Sequence, residues 1–75
     1  MASLDAIRTR MSKRRALPYG IVCNPAQYTQ IAGLVPPGIL VEWHPKHPID
    51  EATICDTCEA FGRVLREYEY GHIQP

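Results

Sequence analysis

Apolar residues recur along this chain in two rhythms, and each predicts a different kind of element. Leu4, Ile7 and Met11 follow three- and four-residue steps, which predicts a helix over 3–16 with Ser3 as its cap. Pro18 is expected to end it, because the residue before a proline is driven out of the α region. Tyr19–Cys23 and Ile39–Trp43 are short apolar runs bounded by Asn24-Pro25 and by Pro36-Pro37-Gly38, and both read as strands. Ile54, Cys58, Phe61, Leu65 and Tyr68 step 4-3-4-3, which predicts a second helix from near Thr53 to a terminating Gly71. Asp50, Glu51 and Asp56 place negative charge at its start, where the helix dipole favours it. Gly62 inside that helix costs about 1 kcal/mol relative to alanine, which suggests a close-packed neighbour there.

Residues 25–35 support two readings. Asn24 as cap, Pro25 at the first helical position, Gln27 and a stop at Gly33 would frame a short helix. Thr29, Ile31, Gly33 and Val35 alternate as a strand would, and Pro36-Pro37-Gly38 would then close a β-hairpin with Ile39–Trp43; this reading is preferred. The expected fold is α+β: an N-terminal helix, a small two- or three-stranded antiparallel sheet, and a long C-terminal helix packed across it. Residues 1–75 form one domain, with 1–17 as a basic helix or arm and 18–75 as the core.

Length changes this picture by asking what holds the core together. A chain of 75 residues buries only about 60% of its unfolded surface. With 45% hydrophobic and 21% charged residues it is expected to be globular rather than disordered. No apolar run approaches the ~20 residues that cross a bilayer, and the N-terminus lacks the apolar core of a secretory signal. An odd number of cysteines, 3, is a poor disulfide framework, so a reducing cytoplasm is the expected location. The formal net charge is +0, yet the charges are segregated. Arg8, Arg10, Lys13, Arg14 and Arg15 face only Asp5 within residues 1–20, leaving that segment +4 and the remainder −4.

His44-Pro45-Lys46-His47 and Cys55-Asp56-Thr57-Cys58 present two histidines and two cysteines within fifteen residues. Such a set suits a tetrahedral Zn²⁺, and four protein ligands would make the site structural rather than catalytic. Cys55 and Cys58 near a helix start would be favoured as thiolates by the dipole. His44 and His47 would be about 9 Å apart if extended. A β-turn with Pro45 at its second position brings them within about 7 Å. Cys23 competes with the histidines for the remaining two places. Arranged this way, residues 39–71 resemble the latter part of a treble-clef zinc finger, although the usual first knuckle is absent. The alternative is that Cys58 is simply core, that Cys55 is an incidental small residue, and that the histidines are surface loop residues beside proline.

Other chemistry finds less support. Thioredoxin-like use of the CxxC pair would need further strands beyond the seventeen residues that follow Cys58. No phosphate loop or oxyanion-hole signature is present, and the chain is expected not to be an enzyme. The basic segment Arg8, Arg10, Lys13, Arg14 and Arg15 could neutralise phosphates or meet an acidic protein surface. Leu4, Ile7 and Met11 on the same helix are expected to pack on the chain's own core. Tyr28, Trp43, Tyr68 and Tyr70 could form an aromatic surface, with Trp43 as a core anchor or a lid over the metal site. The leading functional expectation is a zinc-stabilised binding or regulatory module that contacts nucleic acid, or a nucleic-acid-associated protein, through its basic head. The alternative is a metal-free adaptor, inhibitor or self-assembling subunit. No membrane partner is expected.

Overall fold

The computed structural model of the chain describes residues 3–13, 15 and 17–70, with residues 69 and 70 described by their backbone alone. The order of elements is α1 (Leu4–Met11), β1 (Gly20–Cys23), a 3-10 turn (Pro25–Gln27), α2 (Tyr28–Ala32), β2 (Leu40–Trp43), β3 (Ala52–Cys55) and α3 (Cys58–Tyr70). This is an α+β fold. Its sheet has three strands in the order β2-β1-β3 and is mixed rather than antiparallel. β1 runs parallel to β2 and antiparallel to β3.

The parallel pair follows from residues 25–32, which are helical rather than the first arm of a hairpin. The Asn24 side chain accepts from the Ala26 N–H, and Pro25 supplies a helical φ without losing a needed donor. These capping signals outweigh the weak alternation of Thr29, Ile31, Gly33 and Val35, of which only Ile31 is buried on α2. A helical crossover returns the chain to the same end of the sheet, and parallel pairing results. The PPG turn forms as expected, with Gly38 at φ 101 in the left-handed region that favours glycine.

Two helix boundaries differ from expectation. α1 starts at the Ser3 cap but ends at Met11 rather than at 16. Ser12 Oγ donates to the Thr9 carbonyl at 2.7 Å, one of the local bonds by which serine competes with helix continuation. α3 starts at Cys58 because Thr57 caps it, accepting from the Ala60 N–H at 3.0 Å. Thr53, Ile54 and Cys55 belong instead to β3, so the C-terminal helix is shorter than expected, at 13 residues. Gly71 lies outside the described residues.

The sheet separates two apolar layers. Ile21 and Cys23 of β1, Ala52 and Ile54 of β3 and Val41 of β2 face α1 and α2, which contribute Leu4, Ile7, Met11 and Ile31. Leu4, Ile7 and Met11 thus pack on the chain's own core, as expected. Val22 and Cys55 face α3, packing with Phe61 and the partly buried Ala60, Val64 and Leu65. α3 is laid against β1 and β3. Close packing is required at Gly20 rather than at Gly62. A Cβ on Gly20 would fall 2.6 Å from the Phe61 ring, whereas one on Gly62 would meet only the end of the Arg66 side chain.

Candidate functional site

The turn His44-Pro45-Lys46-His47 forms as the sequence predicts, with the His47 N–H donating to the His44 carbonyl at 3.0 Å. It does not turn both rings toward the cysteines. His47 is 1% exposed, with Nδ1 3.0 Å from the Pro48 carbonyl and Nε2 2.9 Å from Thr53 Oγ1. A carbonyl only accepts, so Nδ1 carries the proton, and in the neutral ring Nε2 accepts from the Thr53 hydroxyl. Both ring nitrogens are therefore occupied. His44 Nδ1 accepts from the Lys46 N–H at 3.1 Å. Both imidazoles pack against Tyr68, at 5.9 Å for His44 and 5.1 Å for His47 between ring centroids.

Tyr68 lies toward the far end of α3 from Cys58, about 15 Å away at 1.5 Å per residue. The histidine pair and Cys58 therefore meet opposite ends of the same helix, while Cys55 lies on β3. Cys55 is buried and Cys58 is exposed. The Tyr19 phenol is hydrogen-bonded with Cys58, which pushes it above its ordinary value. Cys23 is buried on the opposite face of the sheet from Cys55, with its Sγ 3.7 Å from the Glu42 carbonyl. Burial pushes the Cys23 thiol up, and burial followed by the Asp56 charge does the same at Cys55, so without a metal the neutral thiol is favoured at both. Among the described residues no three or more His, Cys, Asp and Glu side chains gather into a group that could hold a metal ion. The dipole argument for Cys55 fails locally because that residue ends a strand rather than opening the helix.

The basic head is partly spoken for. Arg8 pairs with Asp5 at 3.3 Å on the exposed side of α1, and Arg10 forms an ion pair with Asp56. This second pair joins the basic head to the acidic body within one chain. Lys13 and Arg15 are exposed, and Arg14 lies outside the described residues.

The least satisfied surface is the free edge of β2. The Leu40 N–H donates to the Tyr19 carbonyl at 3.3 Å and the His44 N–H to the Cys23 carbonyl at 3.0 Å, so the even-numbered residues bond inward to β1. In a parallel ladder the alternate residues, Val41 and Trp43, turn their backbone N–H and C=O outward. Leu40 is 45% and Trp43 49% exposed. Beside this edge, on the α2 side, lies an open groove of about 340 Å³ whose walls include the side chains of Tyr28, Ala32, Val35, Pro37, Ile39 and Val41. Glu42 is exposed and makes no ion pair among the described residues.

The chain matches no known family model, no curated protein and no solved structure. Its functional reading therefore rests on its own geometry. Among the described residues no helix is long and apolar enough to cross a membrane.

The β2 edge did not stand out in the sequence. Ile39–Trp43 reads as a strand like Tyr19–Cys23, and only the strand order shows that β2 is peripheral. Of the aromatic residues, Tyr28 and Trp43 are exposed near this edge, whereas Tyr68 packs on the two histidines and the Tyr70 side chain is not described. Trp43 is not a core anchor, being 49% exposed. The signal that existed was the capping pattern at Asn24-Pro25, since a helix over 25–32 implies a crossover and a parallel neighbour for β1.

Proposed function

We propose that this chain is a small non-enzymatic binding module that takes a protein partner along the edge of β2 and the groove beside it. The observation that carries the reading is the outward-turned backbone of Val41 and Trp43, flanked by half-exposed Leu40 and Trp43 side chains. An unpaired edge is a template for another strand unless charge, proline or a covering element blunts it. β2 has one charge, Glu42, and no proline. A random peptide library panned on the chain is expected to yield binders that shift the Val41 and Trp43 amide resonances. Binders that shift only residues of α1 would overturn the reading.

This module needs no metal. Its two apolar layers are closed by Ile7, Ile21, Ile31 and Phe61, and His47 is held by Pro48 and Thr53. Elemental analysis is expected to find less than one zinc per chain, with the same melting temperature with and without a chelator. One zinc per chain and a chelator-sensitive melt would restore the site at His44, His47, Cys55 and Cys58. We place the module in the cytoplasm, a reading supported by three free thiols.

A second reading is favoured by the exposure of Arg8, Lys13 and Arg15, which leaves part of the basic head open to nucleic acid or an acidic protein surface. It predicts an electrophoretic shift of duplex or single-stranded nucleic acid at low salt, lost when Arg8, Arg10, Arg14 and Arg15 become alanine. No shift at low salt would end that reading.

A further inference from the structure

We infer that the occupant of the β2 edge is an extended peptide segment in which a basic residue stands between two apolar ones, added to the sheet as a fourth strand. The inference rests on the proposed use of this edge and names the chemistry of the partner. Side chains of an added strand alternate between the faces of the sheet, as those of β2 do. Residues of the added strand opposite Val41 and Trp43 come to the α2 side, where the side chains of Ala32, Val35, Ile39 and Val41 line the groove. The residue between them comes to the α3 side beside Glu42. There α3 packs on β1 and β3, and Glu42 stays in water without a cationic partner among the described residues. Opposite charges directly across two strands attract and like charges repel. Residues 21–75 carry −4, so the wider field favours a cation at this position too.

Charge also argues against a second copy of the chain as the occupant. Two β2 strands related by a two-fold axis and keeping their faces aligned must centre on one residue. Centring on Glu42 sets that carboxylate against its own copy. Centring on Val41 sets Glu42 against Leu40, and both carboxylates remain unpaired beside two acidic bodies; centring on Trp43 sets Val41 against Pro45, which has no N–H to complete the pair. A basic strand removes the conflict.

The probe is acetyl-Thr-Val-Arg-Val-Thr-amide, which reads the same in either direction and so suits parallel or antiparallel addition. Its controls carry glutamate in place of arginine, or N-methylated valines. Trp43 is the chain's only tryptophan and reports on the edge by fluorescence, with the Val41 and Trp43 amides followed by NMR. The arginine peptide is expected to bind about tenfold more tightly than the glutamate peptide at low salt. Glu42→Arg should reverse the preference. Val41→Pro removes an outward N–H without touching the ladder to β1, and should weaken the arginine peptide about tenfold while the chain still folds. N-methylation of the peptide should do the same, without relying on that variant. Equal binding of the arginine and glutamate peptides would overturn the inference and leave the edge reading standing. So would dimers that Val41→Pro dissolves, in the absence of peptide binding. Failure of every peptide together with a monomeric chain would overturn both.

Discussion

β1 and β2 are parallel neighbours of four residues each, paired from Gly20 with Leu40 to Cys23 with Trp43. Every residue of β1 is buried, and no residue of β2 is. Hydropathy does not explain this, since Leu40, Val41 and Trp43 are as apolar as Ile21, Val22 and Cys23. Position does. β1 is central in the sheet, with α1 and α2 on one face and α3 on the other. β2 is an edge, lying beyond the strands on which α3 packs. One strand is therefore committed to stability, and its neighbour keeps an open edge.

The sharpest way to break that contrast is to truncate both strands. Ile21→Ala should destabilise the chain by about 2–5 kcal/mol, because it removes fully buried methyl groups and leaves a cavity. Leu40→Ala should change stability by less than about 1 kcal/mol. Denaturant midpoints measure both, and equal losses would erase the distinction. Next in size is Gly20→Ala, whose Cβ would collide with the Phe61 ring and should destabilise by about 1–3 kcal/mol. In a Phe61→Leu background the same change should be milder, because the obstructing ring is gone. Additive losses would mean that the Gly20–Phe61 contact is not what demands glycine.

The two histidines offer a parallel contrast. Thr53→Val removes the hydroxyl that donates to His47 Nε2 and should lower stability by about 1–2 kcal/mol, read in the same denaturant titration. His44→Ala, on the partly exposed corner of the turn, should stay within about 0.5 kcal/mol. The smallest effect is on pH dependence. Burial raises the Cys23 and Cys55 thiols above the unfolded-state value, so the folded chain holds those protons more tightly. Their contribution is complete below about pH 8.5 and is lost as pH rises through the folded values. The thermal midpoint should fall in the alkaline range, with the raised Tyr68 acting in the same direction at higher pH. A midpoint that climbs with alkalinity would contradict this assignment.

Local signals in the sequence were sound where one short-range interaction decides the outcome. The Ser3 cap, a strand within Tyr19–Cys23 (Gly20–Cys23), the PPG turn and the turn at Pro45 all form. Signals failed where a competing contact decides. Ile54 and Cys58 share a helical step with Phe61, yet the Thr57 cap starts α3 at Cys58 and Ile54 pairs with Ile21 in the sheet. Gln27 did not turn back on Asn24. It forms reciprocal hydrogen bonds with Asp50, of 3.1 and 3.2 Å, which hold that residue at φ 68. The metal motif is legible as residue types and spacing, and among the described residues its histidines and cysteines do not gather into one group. The open edge was invisible because exposure of β2 is a property of strand order.

The most direct test of that edge is amide hydrogen exchange resolved by residue in dilute protein. Slow exchange is expected at Leu40 and Glu42, whose N–H groups face β1, and fast exchange at Val41 and Trp43, whose N–H groups face outward. Protection at Val41 and Trp43 equal to that at Leu40 and Glu42, in the free monomer, would mean that the edge is already covered and would contradict that expectation.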